Sequence, residues 1–459
     1  MKFNKTVLTV AMVAAMPWLH AHAQSPADMQ RQIQLLQEQL KALQTQVETM
    51  GAKQAVDPTE FNRLVQKVEV KEEAAQKAGF NDLTFKGLIE ARYLKDKVNA
   101  SGVNFDANGF SGSGLTGSSS GFSAGNGYSG VGMLEITKQA EGGNGINWTL
   151  RLTPGGGLRD DSKLINEASI SVPLGDGAPR VIAGLIPDWT GYEGYFSNQN
   201  LLITHNLIFN HLASSSYLGA GLQHTFGPVT AKAMFANVDG AGNTQSTPGL
   251  VYNANWAINE FSYLNFSGVN ILGRPANTGA PLSSVNRRTA NLYEIDGGYT
   301  KGDLALNGQF SFGNVRNGAS NGGNASWTAI STLAAYKLTP RLQAVTRYDF
   351  INNRKNGGGV FGGSAYGAGP IDPITGLRSP PPINDVFGAE QDSTGAVIDP
   401  NRGTNRSALA FGLNYAINPS TQWKTELRID RSSGYNFQNA EGEFKKSNVL
   451  LGTALVVSF

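Results

Sequence analysis

The stretch from Leu409 to Asp430 alternates with a period of two on both sides of a turn, which commits it to strands. Leu409, Phe411, Leu413, Tyr415 and Ile417 fall on one face, and Ala410, Gly412, Asn414 and Ala416 on the other. After Asn418-Pro419-Ser420, which has turn chemistry, Trp423, Thr425, Leu427 and Ile429 alternate with Lys424, Glu426, Arg428 and Asp430. A soluble sheet could contain one such hairpin. The same unit of about ten alternating residues and a turn recurs to the last residue, the pattern of a closed barrel whose lipid-facing and lumen-facing side chains alternate.

Composition narrows the choice by exclusion. The 459 residues include 56 Gly and only 16% charged residues, which fits a turn-rich all-β chain. No segment after the leader offers the roughly 18 uninterrupted apolar residues of a membrane-spanning helix, so a bilayer could be crossed only by a barrel. Cysteine is absent, which removes disulfides, thiolate metal sites and a cysteine nucleophile. Without Lys2 and Lys5 of the leader the chain holds 35 basic and 35 acidic residues, a balance that argues against a nucleic-acid partner.

Residues 1–23 read as a secretory signal peptide: Lys2 and Lys5, the apolar run Val7 to Ala15, then Ala21-His22-Ala23 as a small-x-small cleavage site. A heptad segment follows, with Met29, Ile33, Leu36, Leu40, Leu43, Val47 and Met50 at alternating spacings of four and three. This predicts a coiled coil of about three heptads, roughly 33 Å long, of undetermined strand number. A weaker helical stretch, Phe61 to Ala78, ends at Gly79. The segment 24–79 is therefore expected to be helical and periplasmic, and 80–459 to form the barrel.

From Leu83 the period becomes two. The first strand places Phe85, Gly87, Ile89, Ala91 and Tyr93 opposite Lys86, Glu90 and Arg92. Further strands are expected near 127–138, 145–154, 163–174, 178–187, 214–226, 229–238, 249–258, 261–270, 289–300, 304–314, 325–338, 341–352, 405–417, 421–431 and 447–459, sixteen in all. The pair 249–258 and 261–270 is the least regular, because Phe261, Tyr263 and Phe266 do not alternate cleanly; without it the count is fourteen. Every second connection is tight, as at Gly227-Pro228 and Lys301-Gly302-Asp303, whereas the others are long and rich in Gly, Ser and Asn, notably 95–126 and 353–404.

The last strand carries Val449, Leu451, Thr453, Leu455, Val457 and Phe459 on one face, and the chain ends on Phe459. A final alternating strand ending in Phe resembles the assembly signal of Gram-negative outer-membrane porins, and residues 83–459 resemble the sixteen-stranded porin family. The preceding coiled coil is similar to the DcaP-like branch. The resemblance implies an outer-membrane homotrimer, contact with lipid and with the barrel-assembly machinery, a coil in the periplasm with peptidoglycan as a candidate partner, and a third long loop folded into the barrel.

A barrel of about sixteen strands encloses an aqueous channel. Taking the charged face as the lumen, Lys86, Arg92, Arg151, Arg180, Lys232, Arg347, Lys424 and Arg428 line it with Glu90, Glu135, Glu167, Glu294, Asp296, Asp349, Glu426 and Asp430. The signs balance, so selectivity would depend on clustering at a constriction. The expected constriction is the third long loop, 188–213, which is apolar and aromatic and holds Asp188, Trp189, Tyr192, Glu193, His205 and His211. With no Lys or Arg of its own, its acids are expected to face Arg92, Arg151 or Arg180 and set up a transverse field. A solvated wall, or a loop packed on neighbouring subunits, is the alternative.

Enzyme signatures are discounted. Residues 121–125 match a nucleophile elbow and 112–117 a dinucleotide fingerprint, but both sit in a Gly/Ser tract without the strand-turn-helix context. His205, His211 and His224 lack zinc-ligand spacing, and the loop 353–404 lacks an ordered Ca²⁺ ligand pattern. Neither metal nor cofactor is expected. The sequence thus points to a non-enzymatic porin for passive diffusion of small hydrophilic solutes or ions, with a structural or wall-tethering barrel, or a barrel enzyme, as the alternatives.

Overall fold

The computed structural model describes residues 83–96, 120–123, 132–140, 145–153, 165–213, 216–239, 248–274, 288–360, 387–438 and 443–459. The leader, the coiled-coil positions Met29, Ile33, Leu36, Leu40, Leu43, Val47 and Met50, and the helical stretch after them lie outside the described residues.

Sixteen wall strands follow in chain order: β1 (Leu83–Asp96), β2 (Gly132–Lys138), β3 (Asn147–Leu152), β4 (Ile165–Pro173), β5 (Arg180–Pro187), β6 (Ser216–Phe226), β7 (Val229–Asp239), β8 (Pro248–Asn259), β9 (Ser262–Arg274), β10 (Arg288–Lys301), β11 (Leu304–Val315), β12 (Ala325–Lys337), β13 (Leu342–Asn352), β14 (Arg406–Asn418), β15 (Thr421–Ser432) and β16 (Ser447–Ser458). Each pairs antiparallel with the next, and β16 pairs with β1 from Leu88↔Ser458 to Asp96↔Leu450. The sheet is therefore closed, which leaves no unpaired edge.

All sixteen expected strands are present, including the doubtful pair. The broken alternation near Phe261 has a local cause: the β8–β9 register shifts between Ser262 and Tyr263. Tyr263 and Phe266 then stand on opposite faces, as the pleat requires.

Both of the longest expected loops contain short strands. Within the loop expected at 95–126, Ser120–Ser123 pairs with Arg92–Lys95 of β1 and continues the line of β2 along the wall. Within the loop expected at 353–404, Ala389–Gln391 pairs with Val397–Gly403 as a two-stranded ribbon. Neither run is long enough to show a period.

The outer surface of the barrel is largely apolar. Large apolar side chains such as Ile89, Leu222, Phe235, Leu264, Phe310, Phe411 and Leu451 stand exposed around the barrel. At the short-turn end they give way to a ring of aromatic groups, Phe226, Trp256, Tyr299, Tyr336, Tyr415 and Trp423, the disposition found at a membrane interface. The turns there are as tight as predicted; Gly227 and Gly302 adopt φ of 56° and 61°, which a side chain rarely tolerates.

The barrel closes on its last residue. Gly87 N–H donates to the Phe459 carbonyl at 2.7 Å, and Phe459 N–H returns the bond to Gly87 at 3.0 Å. The tip of the Phe459 ring lies over Gly87, where a Cβ would collide with it.

Candidate functional site

The loop between β5 and β6 enters the barrel. Its apolar residues Tyr195, Phe196, Leu202, Ile203, Leu207, Ile208 and Leu212 are buried. They pack on inward faces of strands far apart around the wall: Ile203 and Phe196 with Leu88 and Leu450, Leu202 with Leu333 and Val345, and Leu207 and Ile208 with Val251, Leu292 and Trp327. A loop touching β1, β8, β10, β12, β13 and β16 at once crosses the lumen. Its one helical turn, α1 (Leu207–His211), is capped by Asn206, whose side chain accepts from Phe209 N–H.

Polar groups hold the loop where it lies, because backbone buried away from secondary structure must find partners elsewhere. The Glu426 carboxylate accepts from Ile203 N–H at 2.7 Å, Thr204 N–H at 2.8 Å and the Thr204 hydroxyl at 2.5 Å. Arg347 donates to Glu193 at 2.8 Å and to the carbonyls of Thr204 and His205 at 2.7 and 2.9 Å. Arg428 reaches the His205 carbonyl at 2.7 Å, and Lys424 the carbonyls of Ser197 and Asn200. Tyr192 meets Ser331 at 2.7 Å, and Asn414 donates to the Leu201 carbonyl at 2.8 Å. Asp349 and Asp430 in turn orient Arg347 and Arg428. The six charged groups Arg347 and Asp349 on β13 and Lys424, Glu426, Arg428 and Asp430 on β15 are all buried, and the bonds are charge-assisted.

The loop's own ionisable groups respond to that burial. Burial pushes the Glu193 carboxyl up to about 7, against the pull of Arg347 and the Asn206 N–H, while Asp349 and Glu426 add like charge. Burial lowers His205 to about 3, so the imidazole is neutral and donates from Nε2 to the Gly194 carbonyl at 2.7 Å. His211 is likewise held well below its usual range by burial and by the Arg406 and Arg428 charges.

A family model described as a protein of unknown function, DUF3138, matches residues 62–254 and 261–459. The chain belongs to the DUF3138 family. Comparison with curated proteins found no match. Among solved structures, the outer-membrane channel DcaP of Acinetobacter baumannii is similar at 11% identity and a TM-score of 0.54, with 82% of this chain and 97% of DcaP covered. An anion-selective porin from Comamonas acidovorans is similar at 10% identity and a TM-score of 0.49, with 82% and 99% covered. The barrel of this DUF3138 chain thus has the porin fold.

In the DUF3138 barrel the expected lumen residues divide into two sets. Lys86, Glu135, Arg151 and Glu167 stand in register across β1 to β4. They form an alternating ladder that water reaches: the Lys86 side chain is 61% exposed and Arg151 14%. Lys232 on β7 is half-buried, its ammonium 4.1 Å from the centre of the Trp189 ring. Arg347, Lys424, Glu426 and Arg428, by contrast, were expected to wet the pore, and the loop covers them completely. Glu90 and Arg92 are also buried, paired with each other.

Among the described residues the loop's acids and the expected basic wall residues have other partners. Glu193 pairs with Arg347, and Asp188 accepts from Thr190 and Tyr217. Arg92 is taken by Glu90, Arg151 by Glu135 and Glu167, and Arg180 by Ser171 and the Gly145 carbonyl. Sequence reasoning also missed the neutral members of the site: Thr204, Ser331, Asn414, and Asn253 and Ser267, which bond the Trp189 carbonyl. For the four on strands, inward parity was the available signal, but a charged-residue filter passes over Asn and Ser; Thr204, in the loop, carries no such period.

Proposed function

We propose that this protein is an outer-membrane porin, a barrel through which small hydrophilic solutes or ions diffuse passively. The observation that carries this is the loop clamped across the lumen by buried wall residues, beside a charged ladder of Lys86, Glu135, Arg151 and Glu167 that opens to water at Lys86. A narrowed but wetted passage needs both. Residues 1–23 would be removed on export, 24–79 would form a periplasmic coil that fixes a homotrimer and reaches toward peptidoglycan, and Phe459 would present the chain to the barrel-assembly machinery. The apolar ring and belt of the outer surface support lipid contact, and nothing in the proposal calls for a cofactor or an enzymatic step.

Single-channel conductance of the purified mature protein in a planar bilayer, with reversal potential under a salt gradient, tests this. Steps in groups of three are expected from an open trimer. A second possibility is favoured by the extent of apolar packing between the loop and β6 to β14: a barrel closed at rest, serving a structural role. Folded protein that never produces a step would support that alternative.

A further inference from the structure

Beneath the loop, at the short-turn end, lies an open cavity of about 380 Å³ roofed by Trp189, Gly191 and Tyr192. Small-molecule sites occupy roughly 300–1,000 Å³. Thr230 and Tyr263, the second residues of β7 and β9, place its mouth near the turns. Its two charges stand three strand steps apart and two residues out of register along the wall. Lys232 is opposite Asn253 on β8, and Asn265 on β9 is opposite Asp296 on β10.

The two charges are prepared differently. Among the described residues the Lys232 ammonium has no hydrogen-bond acceptor; it rests on the Trp189 face, with Asp188 and Glu167 acting on it only through space. Asp296 accepts from Asn265 at 2.8 Å with the neutral Tyr263 phenol beside it in the cavity lining, and makes no ion pair among the described residues. Between the charges stand the amides of Asn253, Asn255 and Asn265. A wall pair left unjoined across a cavity, with neutral donors and acceptors between, offers a charge-assisted bond at each end. The ladder on β1 to β4 differs, because there every charge is already joined to its neighbour.

We propose that this cavity binds a small zwitterion of amino-acid to short-peptide size, its carboxylate on Lys232 and its ammonium on Asp296. The proposal rests on the channel reading for its biological sense, since the bound species would be a solute in transit, but the site itself does not require an open pore. A cavity with one charge of each sign disfavours a solute carrying only one, which leaves the other wall charge without its partner.

The test is isothermal titration of the detergent-purified mature barrel with glycine, glycylglycine and triglycine, alongside acetylglycine and glycinamide, each lacking one charge. At least one zwitterion should bind, at least tenfold more tightly than either blocked compound. Lys232→Met should remove the preference for a free carboxylate, and Asp296→Asn the preference for a free amine, with barrel folding checked by heat-modifiable gel mobility. Should Lys232→Met not fold, Lys232→Gln keeps a polar group over Trp189 and serves the same comparison. Absence of binding by folded wild type overturns the proposal. So does equal binding of acetylglycine, which would mark an anion site, or of glycinamide, which would mark a cation site. Conductance measured on the same preparation separates the two failures: channels without binding remove the site alone, and binding without channels removes the porin reading alone.

Discussion

Glu193 shows how one side chain can be legible in type and illegible in role. Its place in an acidic, aromatic loop marked it as a constriction residue, yet its carboxylate lies 2.8 Å from Arg347 and never meets the basic wall of β1 to β5. Because burial raises its folded value to about 7, the sign of its effect on stability follows. At low pH it is protonated in both states and costs nothing; as pH rises from the ordinary carboxylate value toward 7, the unfolded chain ionises first and stability falls, by roughly 3 kcal/mol. The unfolding midpoint in detergent should therefore drop between pH 4.5 and 7, and Glu193→Gln should flatten that slope; parallel profiles would assign the titration to another group. Gly87 makes a second local test. Gly87→Val should drive the Phe459 ring off the seam at a cost of about 1–3 kcal/mol, read as a smaller heat-modifiable fraction, whereas the same change at Gly308, where a Cβ meets nothing, should be far milder.

The loop and the strands that hold it act together. Glu426 satisfies two backbone N–H groups and a hydroxyl of the loop, so Glu426→Ala leaves three buried donors without an acceptor. The expected loss is about 2–5 kcal/mol. In an open porin it should appear as larger and noisier conductance steps, and unchanged steps would mean that the loop is held by its apolar packing alone. The strands themselves were legible to within a few residues at their ends, from β1 to β16, because alternation is a local signal that every pleated segment carries. The ribbon at 389–403 and the short run at 120–123 were not, since three to seven residues hold too little pattern; the two runs of the ribbon pair with each other, and the short run pairs with β1.

For the whole barrel, closure and assembly set the expectations. Removing Phe459 takes away both hydrogen bonds to Gly87 and the ring that covers it, so outer-membrane levels of the folded barrel should fall severalfold by immunoblot of membrane fractions. In the proposed trimeric porin, deleting residues 24–78 should preserve conductance while trimers dissociate at lower temperature on semi-native gels; loss of conductance would tie this segment to the pore itself. The sequence by itself determined the class, the sixteen strands, their faces and the alternation of tight turns with long loops, since each is written in spacings of a few residues. Only the tertiary structure decided which inward charges meet water and which meet protein. Glu193 and Arg347 are 154 positions apart, and Thr204 and Glu426 are 222 apart. No local period relates such residues; they meet because a closed barrel brings every wall strand within reach of one loop across its lumen.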